Sequence, residues 1–268
     1  MTYGSAPWSA DDRKLNNWGG GRGVYIQDAG WPPSRIDDRA SMKADDATLV
    51  LSAASMAACW HASQRRKGGA GEPYIKHLLE VASLVGQATG GNDTNLIIAA
   101  LLHDAIEDQG VTRATIAEQY GDDVASLVEE VTDDKSLPKA TRKRLQVEHA
   151  PDKSPRAKIL KLADKINNVT AIGKDPPADW PIERQRDYIQ WGRDVVAGLR
   201  GASPELEAQL DQAADDAECL ITVNSDQAER TAAIRSSIMP IDAFRSKRTA
   251  TDHIDADRDH HDREPVCR

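Results

Sequence analysis

From about Asp45 to Thr222 the chain is a succession of alanine- and leucine-rich stretches, with apolar residues every three to four positions and with Gly, Pro or Asp closing each run. That spacing is the helical period, in which residues three and four apart share a face. A single phenylalanine and few β-branched runs count against a sheet. An all-α, multi-helix bundle is therefore expected, with helices near 45–66, 74–89, 93–106, 112–120, 122–132, 138–149, 154–172, 181–200 and 203–222. Several starts carry cap chemistry. Asp93 precedes an apolar run, Thr112 stands three residues before Thr115, and Ser203 precedes Pro204, a first-turn proline.

The ends read differently. Residues 1–42 contain "WGGGRG" and "WPPSR" without periodicity and are expected to form a flexible leader. The glycine cluster follows no expected strand and lacks the GK[ST] ending of a phosphate loop. Residues 43–222 are the expected domain, and residues 223–268, which include "DHIDADRDHHD", are expected to be a charged, disordered tail.

A net charge of −9 disfavours nucleic acid as a partner, because a phosphate backbone would be repelled. The longest apolar stretch, Leu96 to Leu102, is far below the roughly 20 residues needed to span a bilayer, so no membrane partner is expected. Cys59, Cys219 and Cys267 form no CxxC, which excludes a thiolate zinc site of that spacing and fits a reducing cytoplasm.

The chemistry gathers in "LLHDAIEDQG". A His-Asp pair by itself says little, since His261-Asp262 repeats it in the tail. His103-Asp104, however, closes an apolar helix, and Glu107 and Asp108 follow four residues after His103 and Asp104 respectively. Burying these charges against Leu101, Leu102 and Ile106 is costly without a compensating cation. Two other helices offer partners. In "EPYIKHLLEVASLV" His77 sits beside Leu78, Val81, Ala82 and Val85; in "KILKLADKINNV" Asp164 interrupts an apolar face. Taken alone, His77 reads as a half-buried histidine and Asp164 as a cap or an ion pair with Lys161 or Lys165. Together with His103 and Asp104 they make a mixed nitrogen and oxygen shell that suits Mn²⁺, Fe²⁺ or Zn²⁺ better than Ca²⁺.

The order His77, His103-Asp104, Asp164, each in its own helix, resembles that of the HD-domain metallophosphohydrolases. The phrases "EPYIKHLLEVA", "ALLHDAIEDQGVT" and "KLADKINNV" resemble the hydrolase domain of the RelA/SpoT family of alarmone enzymes, and "VEEVTDDKSLPKATRKRLQVEHAP" is most similar to the stand-alone small hydrolases of the Mesh type. The resemblance covers about residues 45–222 and neither end. Too few residues follow the last expected helix for a synthetase domain, so a hydrolase without a synthetase is expected.

The resemblance implies a metal, usually Mn²⁺, held by His77, His103, Asp104 and Asp164, with Glu107 and Asp108 as the acid/base pair. A carboxylate one turn from the ligands can take the proton of an attacking water. For the substrate it implies Arg66 and Lys67, at the end of the first helix, stacking on or bordering a purine base. It also implies Asn168 on ribose or phosphate and Tyr188 in the pocket wall. The basic run Lys135, Lys139, Arg142, Lys143 and Arg144 offers attraction to a tetra-anionic guanine nucleotide, or else a solvated face paired with Asp133, Asp134 and Glu148. Two positions depart from the family: Leu78 stands where proline is common, and Asn167 where an aromatic residue or histidine is common. Asn167 is expected near the base or ribose pocket. The implied reaction is hydrolysis of the 3′-pyrophosphate of guanosine 3′,5′-bis(diphosphate). The alternatives are a phosphatase acting on another ribose-phosphorylated nucleotide such as NADPH, and a module that binds the alarmone without turnover.

Overall fold

A computed structural model of the chain describes residues 44–237. Ten α-helices and no strand are found among the described residues; Arg65 and Pro73 form an isolated β-bridge. The all-α expectation holds. The expected leader, residues 1–42, and residues 238–268 of the expected tail lie outside the described residues.

Helix α3 (Thr94–Leu102) is the innermost element. Its sequence "TNLIIAALL" is apolar all round, and Leu96 through Leu102 are all buried, as a helix enclosed on every side must be. It packs on α1 (Ala44–Trp60), α2 (Ile75–Ala88) and α6 (Asp122–Val131). Asp93 caps α3 by accepting from the Leu96 amide, and Thr112 does the same for Thr115 at the start of α5 (Arg113–Tyr120). Both caps were legible in the sequence.

Helix α8 (Pro155–Lys174) joins the two halves of the core. Its Leu160 and Ala163 complete the cluster around α3, while Leu162 and Ile166 pack with Val195, Leu206 and Leu210 of the C-terminal helices and with Leu199 in the turn between them. Those helices are α9 (Ile182–Ala197) and α10 (Pro204–Ser237); α7 (Lys139–His149) packs against α9.

Three boundaries differ from expectation by more than three residues. The first helix stops at Trp60 instead of running to 66, so Arg66 and Lys67 stand on the loop before α2. The expected 93–106 helix breaks at His103-Asp104, and a short α4 (Ala105–Gln109) follows, closed by Gly110 at φ 66°. Residues 223–237, read as tail, continue α10 beyond its last buried residue, Ile221; "DQAERTAAIR" is rich in helix-forming Ala, Gln, Glu and Arg. No helix among the described residues is long and apolar enough to cross a membrane.

The α8–α10 contact is close. A Cβ on Gly173 would lie 2.7 Å from the Ala217 Cα, whereas one on Gly86 would meet Ile97 Cδ1 at an ordinary 3.8 Å. Gly173→Val is therefore expected to destabilise by about 1–3 kcal/mol through overpacking. Gly86→Ala is expected to be neutral or stabilising by about 0.5–1 kcal/mol, because it removes chain entropy from a helix interior. Urea unfolding midpoints of the two variants check the pair, and equal midpoints would mean that α10 can slide away from α8.

Candidate metal centre and cavity

The helix break at His103-Asp104 has a chemical result. It turns His103 inward at the end of α3 and sets Asp104 at the start of α4, where both side chains face α2 and α8. His77 on α2, His103 and Asp164 on α8 are buried and bring three ligand atoms within 4.8 Å of one another. His77 Nε2 lies 3.5 Å from Asp164 Oδ1 and 3.6 Å from Asp104 Oδ2; His103 Nε2 lies 3.8 and 3.2 Å from the same two oxygens. Asp104 stands outside the group of three, with its Oδ2 accepting from the Tyr74 hydroxyl at 2.7 Å.

The ring nitrogens show what this centre suits. His77 Nδ1 donates to Asn167 Oδ1 at 2.6 Å, and His103 Nδ1 donates to the Ala100 carbonyl at 2.8 Å. With the Nδ1 protons so held, each Nε2 offers a lone pair toward the carboxylates, which is how metal-binding histidines are oriented. His103 Nε2 is buried and has no aligned hydrogen-bond partner. The centre also demands positive charge. Burial opposes protonation of His103, but Asp104 and Asp164 outweigh it and push the imidazole up to about 10. A divalent cation meets the same demand without a proton, so the donor set fits a metal.

Four residues past His103, on α4, Glu107 is half-buried and Asp108 lies beside it. Burial, followed by the charges of Asp133, Asp104 and Asp108, raises the Glu107 carboxyl above its ordinary value, with Lys135 opposing. The bonds to Glu107 fall on Oε1, which accepts from Arg142 at 3.2 Å. Asp108 is held through both oxygens, by Gln64 at 2.7 Å and Lys135 at 2.5 Å.

Both acids line a cavity of about 370 Å³. Asp104 and Asp164 line it as well, and so do all six expected substrate-side residues, Arg66, Lys67, Lys139, Arg142, Asn168 and Tyr188. The basic run divides. Lys139, Arg142 and Lys143 face the cavity, Lys135 is taken by Asp108, and Arg144 pairs with Glu148 on the exposed side of α7. Lys143 stacks on Trp191, its Nζ 4.4 Å from the ring centre, and Arg184 stacks on Trp180 at 4.3 Å.

Asn167 is near the cavity, as expected, bonded to Arg66 of its wall, but does not itself line it. It stands behind His77, donating to Glu80 Oε2 at 2.6 Å. Being on α8 next to Asn168, it faces α2 and not the cavity, because adjacent helical residues point about 100° apart.

Several wall residues escaped the sequence reading. Lys161, Asp164, Lys165 and Asn168 form one stripe at i, i+3, i+4 and i+7, and all four line the cavity. That spacing was the available signal for Lys161 and Lys165. Lys165 is the partner of Asp164, at 3.1 Å, while Lys161 is buried and borders the cavity. Trp191, three residues after Tyr188, was findable in the same way; Gln64 in its loop was not.

The sequence pattern of the HD domain family matches residues 53–204. The chain is 49% identical over 166 residues to the guanosine-3′,5′-bis(diphosphate) 3′-pyrophosphohydrolase MESH1 of Xenopus tropicalis, covering 62% of this chain and 93% of that one. It is 46% identical to the Homo sapiens MESH1 over 62% of this chain and 92% of the relative. A solved structure described as a metazoan ortholog of SpoT that hydrolyzes ppGpp superimposes with a TM-score of 0.61 at 38% identity, covering 65% of this chain and 96% of that one.

Proposed function

The chain belongs to the HD-domain family, in the group of the MESH1 3′-pyrophosphohydrolases, and from that premise we infer that it hydrolyses the 3′-pyrophosphate of guanosine 3′,5′-bis(diphosphate) to GDP and pyrophosphate. The observation that carries this reading is the convergence of His77, His103 and Asp164 beneath a cavity walled by cations, with Glu107 at its edge.

We assign His77, His103, Asp104 and Asp164 as the ligands of a divalent cation. Imidazole and carboxylate donors without thiolate suit Mn²⁺, with Fe²⁺ and Zn²⁺ as competitors. When bound, the cation polarises a phosphoryl oxygen and acidifies water.

The chain's own groups do the rest. Glu107 takes a proton from the water that attacks the phosphorus attached to ribose O3′. The P–O3′ bond breaks, the oxygen leaves with a proton, and water plus substrate become GDP plus pyrophosphate. Asp108, fixed by Gln64 and Lys135, orients the water and assists departure of the oxygen. Arg142 holds Glu107 in place and, with Lys139 and Lys143, faces the phosphates. Arg66, Lys67 and Tyr188 border the base, and Asn168 the ribose.

The direct test is turnover of the purified protein with Mn²⁺ over ppGpp, pppGpp, NADPH and simple nucleotides, with the products identified. Pyrophosphate from ppGpp is the expected result. Orthophosphate from NADPH with no pyrophosphate from ppGpp would replace the substrate while leaving the site intact. Binding of ppGpp without turnover would make the chain a binding module.

A further inference from the structure

Each proposed ligand has a holder behind it, and three of those holders meet at one side chain. Arg66 Nη1 donates to Asn168 Oδ1 and Arg66 Nη2 to Asn167 Oδ1, each at 3.2 Å. Asn168 Nδ2 donates in turn to Asp164 Oδ1 at 2.6 Å, and Asn167 Oδ1 also accepts from His77 Nδ1 at 2.6 Å. The guanidinium lies 6.0 Å from the ring centre of Tyr74, whose hydroxyl holds Asp104. A residue of the α1–α2 loop is thus tied to ligands on α2, on α8 and just before α4.

We propose that Arg66 is a positioning residue of the metal centre: through Asn167 and Asn168 it holds His77 and Asp164 in coordinating geometry. The inference rests on the metal-centre reading given above. The physical reason lies in the shape of the groups. A guanidinium presents two parallel N–H donors in a fixed plane and can span two neighbouring amide oxygens at once, which a lysine ammonium cannot reproduce. Asn167 is fixed from both ends, with two donors on Oδ1 and the Glu80 carboxylate on Nδ2. That fixed carbonyl keeps the His77 proton on Nδ1 and the lone pair on Nε2. Arg66 also borders the cavity, so the group that faces substrate is the group that squares the ligands.

The test is calorimetric titration of the metal-free protein with Mn²⁺ alone, on wild type, Arg66→Lys, Arg66→Gln and Asn167→Leu. Each variant is expected to bind Mn²⁺ about 10- to 100-fold more weakly than wild type, the usual effect of removing a group that orients a metal ligand. The double variant Arg66→Lys/Asn167→Leu is expected to be little worse than the weaker single, because both act through one clamp. Circular dichroism and urea unfolding of each metal-free variant verify that the fold is kept, and two chemically different Arg66 changes guard against one that fails to fold. A purely substrate-facing Arg66 predicts a raised KM with wild-type Mn²⁺ affinity, and that outcome overturns the proposal alone. A wild-type protein that takes up no Mn²⁺ overturns the metal-centre reading, and this proposal with it.

Discussion

Glu107→Gln is expected to lower kcat about 100- to 10,000-fold, the usual contribution of a positioned general base. Glutamine keeps the length and the bond to Arg142 while removing the ability to accept a proton, so Mn²⁺ affinity and the fold should stay as in wild type. The wild-type pH profile adds an independent readout. A general base works only when ionised, and burial together with three neighbouring aspartates raises the Glu107 carboxyl above the ordinary glutamate value of 4.5. Activity is therefore expected to fall, as pH drops, at a pH higher than that ordinary value. The measurement needs saturating Mn²⁺, because protons also compete for the ligands and weaken metal binding toward acid pH. The acid limb should disappear from the residual rate of Glu107→Gln. Near wild-type turnover in that variant would remove Glu107 from the chemistry and leave Asp108 to carry it.

Asp164→Ala has two expected effects of different origin. Turnover should be lost with the ligand. The metal-free protein should also lose about 3–5 kcal/mol of stability, because truncation leaves a buried charge without its partner. That charge is Lys165, whose side chain is 4% exposed and lies 3.1 Å from Asp164. Burial works against the Lys165 ammonium, and Asp164 outweighs it and keeps the amine protonated. Asp164→Ala/Lys165→Met should regain most of the lost stability and none of the turnover. Urea unfolding in the presence of a chelator, set beside a pyrophosphate-release assay, separates the two effects. If Asp164→Ala unfolds at the wild-type midpoint, Lys165 is balanced by Trp191, over which its Nζ lies 4.6 Å from the ring centre, and the ion pair is not structural.

What could be read from the chain follows the range of the interaction concerned. Caps and periodicity are local, so Asp93, Thr112 and the cores of the helices were legible, as were the three helices that bring His77, His103 and Asp164 together. The end of α1 was not, because "HASQRRK" has a composition any helix tolerates; the chain leaves the helix there to pair Arg65 with Pro73, a contact invisible to periodicity. Asn167 shows the same limit within the site. Position in a motif suggested the nucleoside pocket, and only the packing of α8 on α2 turns that amide toward His77 and Glu80. Gln64 matters because Asp108, far along the chain, comes to it. The run of α10 to Ser237 has a different cause, a helix-forming composition that persists after burial ends.

The stripe of α8 that lines the cavity has a consequence for how such a chain can change over time. Lys161, Asp164, Lys165 and Asn168 act together only because they keep one angular register along the helix. Insertion of one residue between Asp164 and Asn167 would rotate everything after it by about 100°, carrying Asn168 off the cavity and Asn167 away from His77, whatever the new residue was. The same insertion in the α1–α2 loop beside Gly71, where an added Cβ would meet nothing within 4 Å, would leave the register of α8 intact. Length variation is thus confined to the loops of this site, while α8 is free to vary only in side chains.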